Sequence, residues 1–328
     1  VKVGAAIVDI TPPIGLAMDG FGARAGGAAG VHDPLLARAL VAEGPDGTTI
    51  ALVVADLLQI DARLADIISS AVLQSTGIPR EHLQLAGTHT HSGPAFDAPS
   101  DVERRTGDLI AGAIRQAWDE RREAVAAVGI GTITGIGANR RPNGGPVDDR
   151  VTVTRFDDAE GRPIATHVNY GCHPTTLGPN NLLYSADYPG IACARLDAAL
   201  GGVSIFSTGP QGDVNPGGYS PEGSMVGIVV PWRTFESAER YGRALADAVV
   251  TVHRGLHPAA SDRVWGTSRV AELRRKSLPD ATLARTLADD ATRSADALAE
   301  ANLTADATHH AKVAAAYADL IAGQAADP

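Results

Sequence analysis

The chain has 328 residues, 44% hydrophobic and 20% charged, a globular composition with enough apolar material for a buried core. A formal net charge of −10, with no Lys/Arg-rich run long enough to track a phosphate backbone, argues against a nucleic-acid partner. Two cysteines, Cys172 and Cys193, are too few for a disulfide framework or a zinc finger, and no apolar stretch approaches the roughly 20 residues of a membrane-spanning helix.

Residues 3–10 read as a strand that stops at Thr11-Pro12-Pro13. Two β-rich runs, 36–42 and 50–57, flank the turn sequence EGPDGT. Over 61–75, Leu64, Ile67, Ile68, Ala71 and Val72 recur at helical spacing, and Gly77 and Pro79 follow as stop signals. Residues 82–88 form a short strand. Ser100 and Glu103 make a capping-box pattern that opens a helix running to residue 122. Strands follow near 125–136, 150–156 and 163–170, then a helix over 185–199 and a buried strand at 203–207. A helix over 235–254 puts Tyr241, Leu245, Ala248 and Val249 on one side, 262–273 reads as a strand, and from Pro279 the chain is Ala-rich and helical in propensity.

Alternating strands and helices without internal repeats predict an α/β protein. Strands that follow one another directly, at 36–57 and 123–170, predict mixed β-sheets flanked by helices. No shift in composition marks a domain boundary before about residue 275.

Three segments carry chemistry. In LQLAGTHTHSGP an apolar run breaks into Gly, Thr and Ser around His89 and His91. If the strand continues, the period of two puts Leu83, Leu85, Gly87, His89 and His91 on one face, aiming two imidazoles into one cavity. Imidazole is the commonest metal ligand near neutral pH, although a lone H-x-H on a surface loop is more often solvated and inert. His173, in VNYGCHPTTLG, also sits at the mouth of an apolar strand and favours convergence on one site, at the strand ends where open α/β sheets place ligands. The third segment, SIFSTGPQGDVNPGG, presents Asp213 and Asn215 on a glycine-rich loop, which is also what a long connection built on turn formers looks like. Arg140 and Arg141, in NRRPN, read by themselves as a solvated surface pair. A G-x-S-x-G nucleophile elbow is absent, and Cys172 reads as a packed thiol beside His173.

Taken in order, VGAAIVDITPP, MDGFGARAGGAAGVHDPLLARALV, VVADLLQID, GTHTHSGP, GANRRP, NYGCHPTTLG, SADYPG and GDVNP resemble the N-terminal catalytic region of the neutral/alkaline non-lysosomal ceramidase family, in its compact bacterial form. The resemblance covers most of residues 1–270. It implies a ceramidase-like catalytic core over 1–275, with 276–328 an Ala-rich helical segment of the same domain. It implies one Zn2+ held by His89 and His173, a catalytic role for His91, and Arg140 beside the reacting carbonyl. The implied reaction is hydrolysis of an N-acyl amide by metal-activated water. Asp56 and Asp187 lie in family-like segments and serve either to orient imidazoles or to cap strand and helix ends.

Two departures stand out. Asn215 replaces the family's serine in G-D-V-S-P, which argues against ceramide itself as the substrate and leaves Asn215 as a hydrogen-bond donor. The glutamate and tyrosine that complete the family's zinc shell have no counterpart in 276–328, so the resemblance implies a chain truncated before those ligands or a degenerate relative. The expected partner is a small-molecule or lipid-like amide, and the chain is expected to be soluble, with cytoplasm and export both open and no oligomeric state indicated. Two other readings stand beside this one: a non-catalytic ligand-binding relative that kept the scaffold, and a TIM-barrel-type metal hydrolase, which also places H-x-H at a strand end.

Overall fold

The computed structural model describes residues 1–22, 24–141, 144–217, 231–259, 262–269, 271–272 and 281–300, together with 311, 314, 315 and 318. In chain order the elements are β1 (Lys2–Asp9), β2 (Gly30–Val31), β3 (Leu36–Glu43), β4 (Thr49–Ala55), α1 (Ala62–Thr76), β5 (Leu83–Gly87), α2 (Asp101–Asp119), β6 (Arg122–Thr132), β7 (Gly137–Asn139) and β8 (Arg150–Asp158). There follow β9 (Pro163–Tyr170), β10 (Leu183–Tyr184), α3 (Asp187–Leu200), β11 (Val203–Thr208), β12 (Val214–Pro216), α4 (Phe235–Arg254) and α5 (Ala281–Glu300). The architecture is the expected mixed α/β one.

Eight strands form one sheet in the order β11-β9-β8-β6-β1-β3-β4-β5. The sheet is hinged where β1 meets β6, because only Lys2 and Val3 pair there, with Glu123 and Arg122. Beyond that point the two halves turn face to face. One core lies between β1, β3, β4 and helices α1 and α2, filled by residues such as Ala39, Val41, Val53, Ile68 and Ile114. A second lies between β8, β9, β11 and helices α3 and α4, around Val153, Tyr170, Phe206 and Leu245. A third joins the inner faces of the two halves, with Val3, Leu40 and Val54 against Ile164, Ala165 and Ile205. The result is four layers, helix–sheet–sheet–helix, with central strands such as β3 buried on both faces and β6 exposing Val128 and Ile130. Arg38 crosses between the halves, donating to Asp197 at 2.7 Å and to the Ser204 carbonyl at 2.9 Å.

This arrangement overturns the TIM-barrel reading, since β1–β3–β4 and β6–β8–β9 are antiparallel. Within the eight-stranded sheet, parallel pairing is confined to β4–β5 and β9–β11, each joined through a crossover helix, α1 or α3. The two parallel pairs end on the same side of the molecule, and that placement makes the site.

Local chemistry accounts for the boundaries. Asp61 accepts the Leu64 N–H at the start of α1, and Gly77 closes it at φ 77°. Ser100 caps α2 by accepting the Glu103 N–H, as the capping-box pattern predicts. Two expectations differ from the structure. Helix α2 stops at Asp119 and β6 begins at Arg122, earlier than the strand expected from 125. Residues 262–269 and 271–272 form no strand: the chain touches β6 through a bridge between Ala127 and Pro258, and proline has no N–H with which to extend a ladder. In the Ala-rich segment α5 is helical as expected. The expected boundary at 275/276 falls outside the described residues.

Candidate metal centre and active site

Strand β5 ends at Gly87, so His89 and His91 do not share a strand face as the period-two reading expects. A turn brings them together instead. His89 takes the left-handed region at φ 71°, a conformation that costs a non-glycine residue roughly 1–2 kcal/mol. The turn is fixed by the His89 N–H on the Leu57 carbonyl at 3.0 Å and by the Thr90 hydroxyl on the Ser185 carbonyl at 2.7 Å. Strand β9 delivers His173 from the opposite half, where the His173 N–H donates to the Val214 carbonyl at 2.9 Å.

The three rings meet edge to face. Centroids are 5.1 Å apart for His89 and His91, 4.9 Å for His89 and His173, and 5.6 Å for His91 and His173. One nitrogen from each ring lies within 4.8 Å of the other two. His89 Nδ1 is 2.8 Å from the Leu58 carbonyl and His173 Nδ1 is 2.7 Å from the Gln211 carbonyl. A carbonyl can only accept, so Nδ1 carries the proton in both rings and Nε2 is left bare. Both nitrogens of His91 are inaccessible and make no hydrogen bond. Burial lowers the pKa of all three imidazoles, that of His173 to about 4; neighbouring rings push His91 and His173 the same way, and Arg140 does so for His89 and His173. The cluster therefore stays neutral near pH 7, the form that binds a cation.

These donors fit a zinc ion. Two imidazoles have a bare Nε2 held in orientation by carbonyls, the usual outer support of zinc-bound histidine, and a third has no partner of its own.

The other expected site residues divide. Arg140 is brought in: its N–H donates to the Asp213 carbonyl at 2.7 Å and its Nη2 to the Gly212 carbonyl at 2.6 Å, and its charge lowers the pKa of His89 and His173. Asn215 is 6% exposed on β12, one residue from the carbonyl that holds His173, and its Oδ1 is buried without a partner. Asp213 is half-buried, with Oδ2 3.5 Å from Arg141. Asp56 and Asp187 orient no imidazole through a direct hydrogen bond, because backbone carbonyls take the Nδ1 protons. Asp56 ties the end of β4 to β3 by accepting the Leu36 N–H at 2.9 Å. Asp187, itself left-handed at φ 58°, accepts from the Thr176 and Tyr188 N–H groups and the Thr176 hydroxyl, fixing the loop that follows His173.

Sequence reasoning missed the wall behind His91. Phe21 packs on its ring at 4.8 Å, and two buried arginines, Arg24 and Arg233, lie over Phe21 at 5.1 and 5.2 Å. Arg24 reaches the carbonyls of Asp19 and His91, each at 2.7 Å. Gly20 makes this close approach possible: at φ +101°, a Cβ there would stand 2.5 Å from the His91 ring. The available signal was MDGFGAR, where Asp and Arg bracket glycines; Arg233 had none.

Residues 1–100 match the family described as neutral/alkaline non-lysosomal ceramidase, N-terminal. The chain is 24% identical over 306 residues to the neutral ceramidase of Drosophila melanogaster, covering 76% of this chain and 43% of that protein. It is 27% identical over 259 residues to neutral ceramidase B of Dictyostelium discoideum, covering 67% of this chain and 36% of that one. The neutral ceramidase structure from Pseudomonas aeruginosa superposes with a TM-score of 0.69 at 21% identity, over 77% of this chain and 45% of that chain, and shares the fold. The chain spans less than half the length of these relatives.

Proposed function

We propose that this chain, whose residues 1–100 match the N-terminal region of the neutral/alkaline non-lysosomal ceramidases, is the metal-holding part of a zinc-dependent hydrolase that cleaves N-acyl amides. The observation that carries this reading is the pair of imidazoles, His89 and His173, each locked through Nδ1 with its Nε2 bare, and His91 within 4.8 Å of both. His89 and His173 would hold the ion. Zinc at such a site supplies a Lewis acid for the amide carbonyl and acidifies a water to a pKa of about 7.

The chain's own groups do the rest. His91, kept neutral by burial, accepts a proton from the attacking water and returns it to the leaving amine nitrogen. Arg140 stabilises the negative charge that grows on the carbonyl oxygen, and the Asn215 amide donates a hydrogen bond beside it. Water is the nucleophile, and because Asn215 stands where the family has serine the substrate is an N-acyl amide of lipid character other than ceramide itself.

Elemental analysis of protein purified without added metal tests the reading. The expected result is close to one zinc per chain in the wild type and less than about a tenth of that in His89→Ala and His173→Ala. Wild-type protein that holds no zinc even after equilibration with it would sink the proposal and favour a non-catalytic ligand-binding relative.

A further inference from the structure

Away from the histidines, the inner core between the two halves of the sheet is incomplete. A cavity of about 610 Å³ opens near their hinge, with Leu40, Ala42 and Ile50 on one wall and Ala124, Ala126 and Phe156 on the other. Its size falls within the ~300–1,000 Å³ typical of small-molecule sites. Alanines at 42, 124 and 126 leave room that Val54, Ile164 and Ile205 fill elsewhere in the same core. Ile50 lies at the start of β4, whereas the histidine turn follows β5, whose last residue pairs with Ala55 at the end of β4. The cavity and the metal centre therefore sit at opposite ends of the sheet.

The walls offer an occupant almost no hydrogen bonds. They are strand faces, and their backbone groups pair within the β1–β3–β4 and β6–β8 ladders. On the other edge of β6 the Ala124 N–H donates to the Val1 carbonyl at 2.8 Å, and the Ala126 carbonyl accepts the Ala259 N–H at 2.7 Å. Among the described lining residues, charge is confined to Asp262 and Arg263, both exposed, on the segment that borders the opening. Trp265 on that segment is 65% exposed, and Val125 beside the opening 50%. Water inside such a hollow lacks partners. A polypeptide segment would bring N–H and C=O groups and leave them unpaired against these walls. Hydrocarbon leaves nothing unsatisfied. The order of apolar interior, indole at the boundary and charge outside is that of an amphiphile.

We propose that this cavity binds the aliphatic chain of a single-tailed lipid, with the polar end of the lipid at the mouth beside Trp265. The site is separate from the histidine cluster, and the inference does not rest on how that cluster is read. The chain would complete the inner core where the alanines leave it open, and its removal from water would supply the affinity.

Calorimetric titration of the protein with hexanoate, octanoate, decanoate and dodecanoate tests it. Dodecanoate is expected to bind, with affinity along the series rising roughly fourfold per added methylene. Ala126→Phe, which fills the hollow, should weaken dodecanoate binding at least about tenfold. Trp265→Ala, a change at an exposed position, should weaken it roughly threefold, which keeps the result readable if Ala126→Phe does not fold. His89→Ala should bind dodecanoate as the wild type does, which separates this cavity from acyl binding at the metal centre. No binding, an affinity independent of chain length, an affinity unaltered in Trp265→Ala, or binding lost in His89→Ala overturns the proposal. A dimer in sedimentation that Trp265→Ala dissociates, without uptake of dodecanoate, also overturns it and assigns the cavity to a second copy of the chain.

Discussion

His91 is placed by the backbone around it more than by any bond from its own ring. Its carbonyl accepts from Arg24, its flank is Phe21, and the space for its ring exists because residue 20 has no Cβ. The carboxylates near this region obey a different balance. Asp56, 4% exposed, is raised to about 7 chiefly by desolvation, and Asp187 to about 6 for the same reason. Each binds its proton more tightly folded than unfolded, so each contributes stability at low pH that is lost as pH rises from about 4 through the folded value. The buried imidazoles act in the opposite sense: lowered toward about 4 at His173, they cost stability as pH falls below about 6.5, because the unfolded chain takes up the protons. The two trends oppose each other between about pH 4 and 6.5, and above that only the acid arm remains. Asp56→Asn removes part of that arm while retaining an oxygen for the Leu36 N–H. Its melting temperature relative to the wild type should therefore rise by several degrees on going from pH 5 to pH 8. A constant difference across that range would show that Asp56 is ionised throughout.

Helix α2 lies so close to β1 that Gly4 is the contact: a Cβ there would stand 2.1 Å from the Ala117 carbonyl and 2.8 Å from the Arg121 nitrogen. Backbone atoms cannot swing aside as a side-chain end can, so Gly4→Ala must displace the helix. A loss of at least about 2 kcal/mol is expected in urea unfolding, against about 1 kcal/mol for Ser100→Ala, which removes only the cap. A neutral Gly4→Ala would mean that α2 slides freely on the sheet. Such packing also marks what the sequence could reveal. Strands β3, β4, β8, β9 and β11 and helices α1, α2 and α4 were legible because their apolar periods and caps are local. The two-residue strands β2 and β10 and the three-residue strands β7 and β12 were not, since bridges such as Asn215 to Ala138 exist only once distant loops meet. The same division holds at the site. His89, His91, His173 and Arg140 could be named from motifs, but the turn that gathers the first two, the carbonyls of Leu58 and Gln211 that set their partners' tautomers, and the arginines behind Phe21 follow from tertiary contacts without a local signature.

At the scale of the molecule the three histidines belong to different halves of the sheet. His89 and His91 follow β5 at one edge, and His173 follows β9 beside the other. The halves are also joined by the short β1–β6 pairing, the β2–β10 pairing, the shared inner core, the Arg38 bridge and loop contacts such as that of Thr90 with the Ser185 carbonyl. An ion held by His89 and His173 would therefore clasp two layers that unfolding separates, and ligand binding to the folded state alone raises stability by mass action. At a zinc concentration about a hundredfold above the dissociation constant the gain is about 2.7 kcal/mol, which corresponds to an increase of roughly 5 °C in melting temperature for a chain of this size. His89→Ala and His173→Ala should lose the increase equally, although their residues come from opposite halves. Loss of it in His89→Ala alone would place the ion on one half, held without His173. The lowered pKa values give the clasp its pH range: with His173 neutral down to about pH 4, the zinc-dependent increase should persist at pH 5.5, where free imidazole would already be largely protonated. Disappearance of the increase near pH 6.5 would show that the rings titrate as solvated histidines, and the buried, neutral cluster would not be the metal-binding form.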